Sequence, residues 1–140
     1  MVNAGRFWGA AALIGVAAAT PACGDSEPDR VVVVDPPTGT LTVEYTIQGE
    51  TVPSHCAFYG ASDVELVVYD DLGYIVADRY APCESYLVSV ELYPGLYGAD
   101  VTLVDPFNNA VSVTAPLDGL DVVRDTELVV LVDFPPGSFL

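Results

Sequence analysis

From Gly39 onward, hydrophobic and polar side chains alternate with a period of two. Leu41, Val43, Tyr45 and Ile47 are separated by Thr42, Glu44 and Thr46, the pattern of a strand with one buried and one wet face. Two apolar runs follow, Val64–Tyr69 and Tyr74–Arg79, joined by Asp70-Asp71-Leu72-Gly73, and they predict a β-hairpin. Tyr86, Val88, Val90 and Leu92 form the apolar face of the next strand, and Pro94-Gly95 a turn. Tyr97, Ala99, Val101 and Leu103 line another strand. It is closed by Asp105-Pro106-Phe107-Asn108-Asn109, residues that cap their own backbone or tolerate the left-handed region. Val111, Val113 and Ala115 predict a shorter strand, Pro116–Arg124 a loop, and Thr126–Phe134 a last strand with Leu128, Val130, Val132 and Phe134 on one face. No stretch repeats at 3.6 residues. The expectation is an all-β chain: one antiparallel, seven-stranded β-sandwich over Gly39–Leu140, long enough to bury its own core.

Charge selects a register for the hairpin. Pairing Tyr69 with Tyr74 sets Glu65 opposite Asp78, whereas pairing Asp70 with Tyr74 sets Glu65 opposite Arg79. Opposite charges facing across strands are the favoured arrangement. The second register is expected, with Gly73 as the bulge residue in a left-handed conformation. Cys56 and Cys83 flank the hairpin and are expected to form a disulfide across its open ends. Closing so long a loop stabilises by roughly 3.5 kcal/mol on chain-entropy grounds. In this register residue 83 faces residue 61, so residues 57–62 must curl back to bring Cys56 within reach.

The N-terminus changes the picture from a plain domain to an exported one. Met1–Gly9 carries Arg6 and no acid, Ala10–Ala19 is an apolar run, and Thr20-Pro21-Ala22 supplies small residues before Cys23. Such a charged start, short apolar core and small-residue site make a secretory signal peptide over residues 1–22. The apolar run rises only ~16 Å as a helix, half of a ~30 Å bilayer core, so a permanent span is not expected. Thr20-Pro21-Ala22-Cys23-Gly24 resembles the lipobox of bacterial lipoproteins. In that family a dedicated peptidase cuts before a cysteine that carries diacylglycerol, with Leu more usual at the position of Thr20. The resemblance implies lipid attachment at Cys23 and a bilayer as the partner of that residue. It leaves Cys56 and Cys83 as the only pair, in keeping with an oxidising compartment. Residue 24 is Gly rather than the aspartate that retains enteric lipoproteins at the inner membrane, which implies the outer membrane of a Gram-negative envelope. Residues 23–38 then form an acidic, Pro-rich tether. Val31–Val34 interrupts it and predicts a weakly paired edge strand.

All 20 acidic residues follow the signal peptide, opposed only by Arg30, Arg79 and Arg124, a net charge of about −17 with no Lys. That field repels phosphate backbones, so no nucleic acid partner is expected. It suits either a solvated coat or a cationic ligand or basic partner. Catalytic chemistry finds no support. His55 is the only histidine and is expected in a loop beside the disulfide. No Gly-x-Ser-x-Gly elbow, phosphate loop or dinucleotide fingerprint is present. A zinc site lacks ligands once the cysteines are assigned. Oxygen ligands abound in the expected loops, as Asp70 and Asp71, Asp105 with Asn108 and Asn109, and Asp118, Asp121 and Asp125. None has the spacing of a calcium loop. No catalytic residue, metal or cofactor is therefore expected.

Leu92-Tyr93-Pro94-Gly95-Leu96-Tyr97 and the strand after it resemble the proline-glycine-x-tyrosine turn of transthyretin-like, carboxypeptidase-regulatory-like sandwiches. The overall pattern also resembles immunoglobulin-like domains of bacterial lipoproteins. Trp8 lies in the signal peptide, so no Trp packs beside the cysteines as in antibody domains. These resemblances imply a non-catalytic structural or binding module that contacts an envelope protein or glycan. The alternatives are a calcium-dependent adhesion or glycan-binding module and, further off, an envelope enzyme.

Overall fold

The computed structural model describes residues 34–140. Seven strands carry the alternation: β1 (Gly39–Ile47), β2 (Asp63–Tyr69), β3 (Ile75–Pro82), β4 (Leu87–Leu92), β5 (Gly95–Val104), β6 (Ala115–Val122) and β7 (Glu127–Phe134). One short helix, α1 (Pro53–Phe58), precedes β2, and 3₁₀ turns follow β3 at Cys83–Ser85 and β7 at Pro136–Ser138. The strands form two sheets, β4-β1-β7 and β3-β2-β5-β6. Alternate residues of each face one shared core, in which Leu41, Tyr45, Leu66, Val101, Leu103 and Phe134 are almost wholly buried. The fold is mostly β and sandwich-like. Residues 1–33, with Cys23 and Val31–Val33, lie outside the described residues. Val34, the last of the four valines, is exposed and belongs to no strand.

Three expectations need correction. The three-stranded sheet is mixed, because β1 pairs antiparallel with β4 but parallel with β7, from Thr40 beside Glu127 to Ile47 beside Phe134. A half-buried strand shows the same alternation in either direction, so the pattern carried no information on this point.

The hairpin register is the second correction. The turn forms as expected: Asp70 N–H donates to the Tyr74 carbonyl, Gly73 N–H donates to Asp70, and Gly73 has φ +84°. Beyond it the pairing shifts, since Tyr69 faces Ile75 but Val68 faces Ala77, leaving Val76 as an extra residue. Glu65 therefore faces Tyr80, whose hydroxyl donates to the Glu65 carboxylate, and Arg79 faces Leu66.

The third concerns residues 111–124. Ala115–Val122, including Pro116, Asp118 and Asp121, is strand β6, whereas Val111 and Val113 lie in an irregular segment outside any strand, where Val111 N–H donates to the Leu103 carbonyl of β5 and Val113 N–H to the Ser138 carbonyl. Pro116 is tolerated because β6 is an edge strand, where a missing N–H leaves no ladder bond unmade.

The two ends of β1 define two poles. At Gly39 the chain enters β1 beside residues 123–126; Thr40 N–H donates to the Thr126 carbonyl and Asp125 N–H to the Thr38 carbonyl. A side chain at Gly39 would collide with the Val123 carbonyl, so the approach requires Gly. Eight residue steps away, about 27 Å at strand rise, Ile47 and Phe134 end at the opposite pole. Helix α1, the Cys83–Ser85 turn, the Asp105–Asn109 turn and the C-terminal segment gather there.

Candidate functional site

The pole opposite Gly39 is built by a series of tight local turns. Gln48 and Gly49 both take positive φ, +57° and +76°, and turn the chain so that Glu50 bridges back to Ile47. Pro53 then opens α1, a position where its missing N–H costs nothing. The helix has only six residues, too few to show a 3.6-residue period. After it, Ala61 N–H reaches the Cys56 carbonyl and Gly60 adopts φ +72°, the curl that delivers Cys56 to Cys83. The disulfide is formed, with Cα atoms 6.0 Å apart and both residues buried. It joins the helix before β2 to the turn after β3, so it ties neighbouring strand ends within one sheet.

Aromatic side chains lock this junction. Tyr86 caps the Cys83–Ser85 turn in the left-handed region at φ +53°, an uncommon conformation for a bulky residue. Its hydroxyl donates to the Val52 carbonyl ahead of α1, and its ring packs on Tyr45 at 5.4 Å. The Tyr45 hydroxyl donates to the Cys83 carbonyl at 2.7 Å. Burial first, then the neighbouring Tyr86 and Asp63, raises the Tyr45 pKa well above that of a free phenol.

Two features face solvent at this pole. One is an aromatic ridge: Phe58 meets Tyr59 edge-on at 4.9 Å, and Tyr59 stacks on Phe139 with centroids 3.5 Å apart. Gln48 donates its side-chain amide to the Tyr59 hydroxyl. Phe58 is 78% exposed although it is a large apolar residue. The other is a cleft of about 620 Å³ on the outer face of β4-β1-β7, bordered by Glu44, Thr46, Glu84, Leu87, Leu131 and Asp133. The sequence did not reveal the cleft; its walls come from β1, β4, β7 and the Cys83–Ser85 turn. The available signals were Leu87 on the polar side of β4 and Val129 and Leu131 on the polar side of β7.

His55 sits in α1 rather than a loop. Its Nε2 faces the Glu50 carboxylate at 3.7 Å, and its Nδ1 is buried without a hydrogen-bond partner. No hydroxyl or thiol nucleophile is placed against it among the described residues. Of the expected loop acids, Asp118 and Asp121 belong to β6. Asp105 turns inward on its own loop, accepting from the N–H groups of Phe107 and Asn109 and from the Asn109 side chain. The Asn109 backbone bond, then its side-chain amide, holds the Asp105 carboxyl below the usual range. Among the described residues no group of three or more His, Cys, Asp or Glu is placed to hold a metal ion. Sodium and calcium chloride at matched ionic strength are expected to raise the melting temperature equally by screening. A saturable calcium-specific rise, abolished by Asp105→Asn, would instead reveal a site.

Tyrosines on the outer face of the four-stranded sheet pair with acids. Tyr69 donates to Asp100 at 3.2 Å, and the hydrogen bond to Glu65, followed by desolvation, pushes Tyr80 up to about 12. No helix among the described residues is long and apolar enough to cross a membrane. No family model, curated protein or solved structure matches the chain.

Proposed function

We propose that the protein is an exported lipoprotein, anchored through acylated Cys23 to the outer membrane of a Gram-negative envelope, and that it is a non-catalytic module binding an envelope protein or glycan. The observation that carries the binding role is the placement of the Phe58–Tyr59–Phe139 ridge and the adjoining cleft at the pole farthest from Gly39. The proposed tether, residues 23–38, joins the folded domain at Gly39, so the ridge and cleft lie at the end of the domain away from that attachment point. Of the two sandwich resemblances we favour the transthyretin-like one. Its support is that β1 pairs with β4 and β7, not with β2 as the first strand of an immunoglobulin ABED sheet does.

A photo-reactive residue replacing Phe58, in cells carrying the full chain, is expected to form covalent adducts with an envelope protein or glycan. The same residue replacing Tyr93, exposed at the tether pole, is expected to form none. Adducts from Tyr93 alone, or from neither position, would defeat the reading.

A further inference from the structure

Resting on that reading of the distal pole, we infer that the cleft on β4-β1-β7 receives a basic side chain of the partner, an ammonium or guanidinium on a methylene stem. The central row of the cleft is Leu87–Glu44–Leu131, three residues directly opposite one another on adjacent strands. Strands lie ~4.8 Å apart, so a carboxylate stands between two leucines within the span of one lysine stem. Leu131 is 76% exposed and Leu87 45%, so apolar surface on both sides of the charge is left for a ligand to cover.

The neighbouring polar groups on this face are already engaged. Thr42 bonds to Ser89 and to the Glu127 carboxylate, and Asp133 accepts from Thr46 and from Gly49 N–H. Glu44 has no hydrogen bond or ion pair among the described residues. The two described cations are elsewhere: Arg79 donates to the Asp78 carbonyl, and Arg124 lies beside Asp125 at the tether pole. Glu84 and Asp133 add negative charge at the rim, and the left-handed Tyr86 holds the turn that carries Glu84 in place.

These surroundings discriminate between ligands. A divalent cation needs six or more oxygens and gains nothing from flanking leucines. An anion is repelled. A Lys or Arg side chain satisfies both halves of the row, laying its stem along Leu87 and Leu131 and its charged head on Glu44.

The test is methyl NMR of the full chain titrated with the peptide acetyl-Ala-Lys-Ala-amide, beside its Nζ-acetylated form. Saturable shifts are expected at the Leu87 and Leu131 methyls with the free amine only. Glu44→Gln, at an exposed position with no hydrogen bond or ion pair among the described residues to lose, should weaken binding by about fivefold, and Asp118→Asn should leave it unchanged. Equal binding of the acetylated peptide would show an apolar groove and overturn the proposal. So would shifts spread over all acidic loops. A cleft that takes the peptide only after Arg30→Gln would show the chain's own tether as its occupant, overturning the partner assignment. If Phe58 adducts form while the lysine peptide fails to bind, this inference alone is lost; if no adducts form, the binding role itself is lost.

Discussion

Cys83→Ser is expected to lower the unfolding free energy by roughly 2–5 kcal/mol, and Cys56→Ser by the same amount. The bond closes a loop with a sequence separation of 27, for which chain entropy alone accounts for roughly 3.5 kcal/mol. Both cysteines are at most 2% exposed, so either substitution also leaves a hydroxyl where the sulfur was packed. A domain of this size has about 5–15 kcal/mol in total, so the loss is a large fraction of its stability. The distal pole should suffer first. Without the bond, α1 is held to the Cys83–Ser85 turn by the Tyr86 hydroxyl and the Cys56 packing, and the ridge on Phe58 and Tyr59 loosens with it. Urea denaturation of each variant measures the effect as a lower midpoint, with a steeper slope because the unfolded chain without its cross-link exposes more surface. The double variant should lose less than the sum of the two single losses, because the same bond is removed in every case. Single variants within about 0.5 kcal/mol of the parent, the range of ordinary surface changes, would show that the bond constrains nothing in the unfolded chain.

Cys23→Ser is expected to abolish lipid anchoring, the protein either accumulating as uncut precursor or being released from membranes. A thioether to diacylglycerol requires the sulfur, and serine offers none. The effect should be all-or-none because two or three acyl chains anchor stably, whereas a single chain binds only marginally and reversibly. Fractionation of cells, with mass spectrometry of the N-terminus, measures both the location and the modification. Parent protein found wholly soluble with an unmodified N-terminus would sink the lipoprotein reading and leave Cys23 a free exported thiol. The folded domain should be unaffected by the substitution, since Cys23 precedes the first strand by 16 positions. Unchanged urea midpoints for Cys23→Ser beside the large shift for Cys83→Ser would separate the two roles of cysteine in this chain.

What the sequence determined is what short-range physics governs. Side chains of a strand alternate with a period of two, so Leu41, Val43, Tyr45 and Ile47 declared both the strand and its inward face before any partner was known. The Asp70–Gly73 turn was legible because left-handed conformations select Gly, and the Cys56–Cys83 bond because the two cysteines flank the hairpin's open ends. What the tertiary structure alone decided depends on partners distant in the chain. The direction of β7 against β1 leaves no mark on the alternation of either strand. The extra residue at Val76 is set by how β3 packs along β2, and it moved Glu65 from Arg79 to Tyr80 against the preference of the charges. Pro116, Asp118, Gly119 and Asp121 have the composition of a loop, yet they form β6, because an edge strand asks for backbone partners on one side only. The cleft is the extreme case: Glu44, Leu87 and Leu131 meet only because β1 lies between β4 and β7, a choice made by burying the shared core and invisible to any window of the chain.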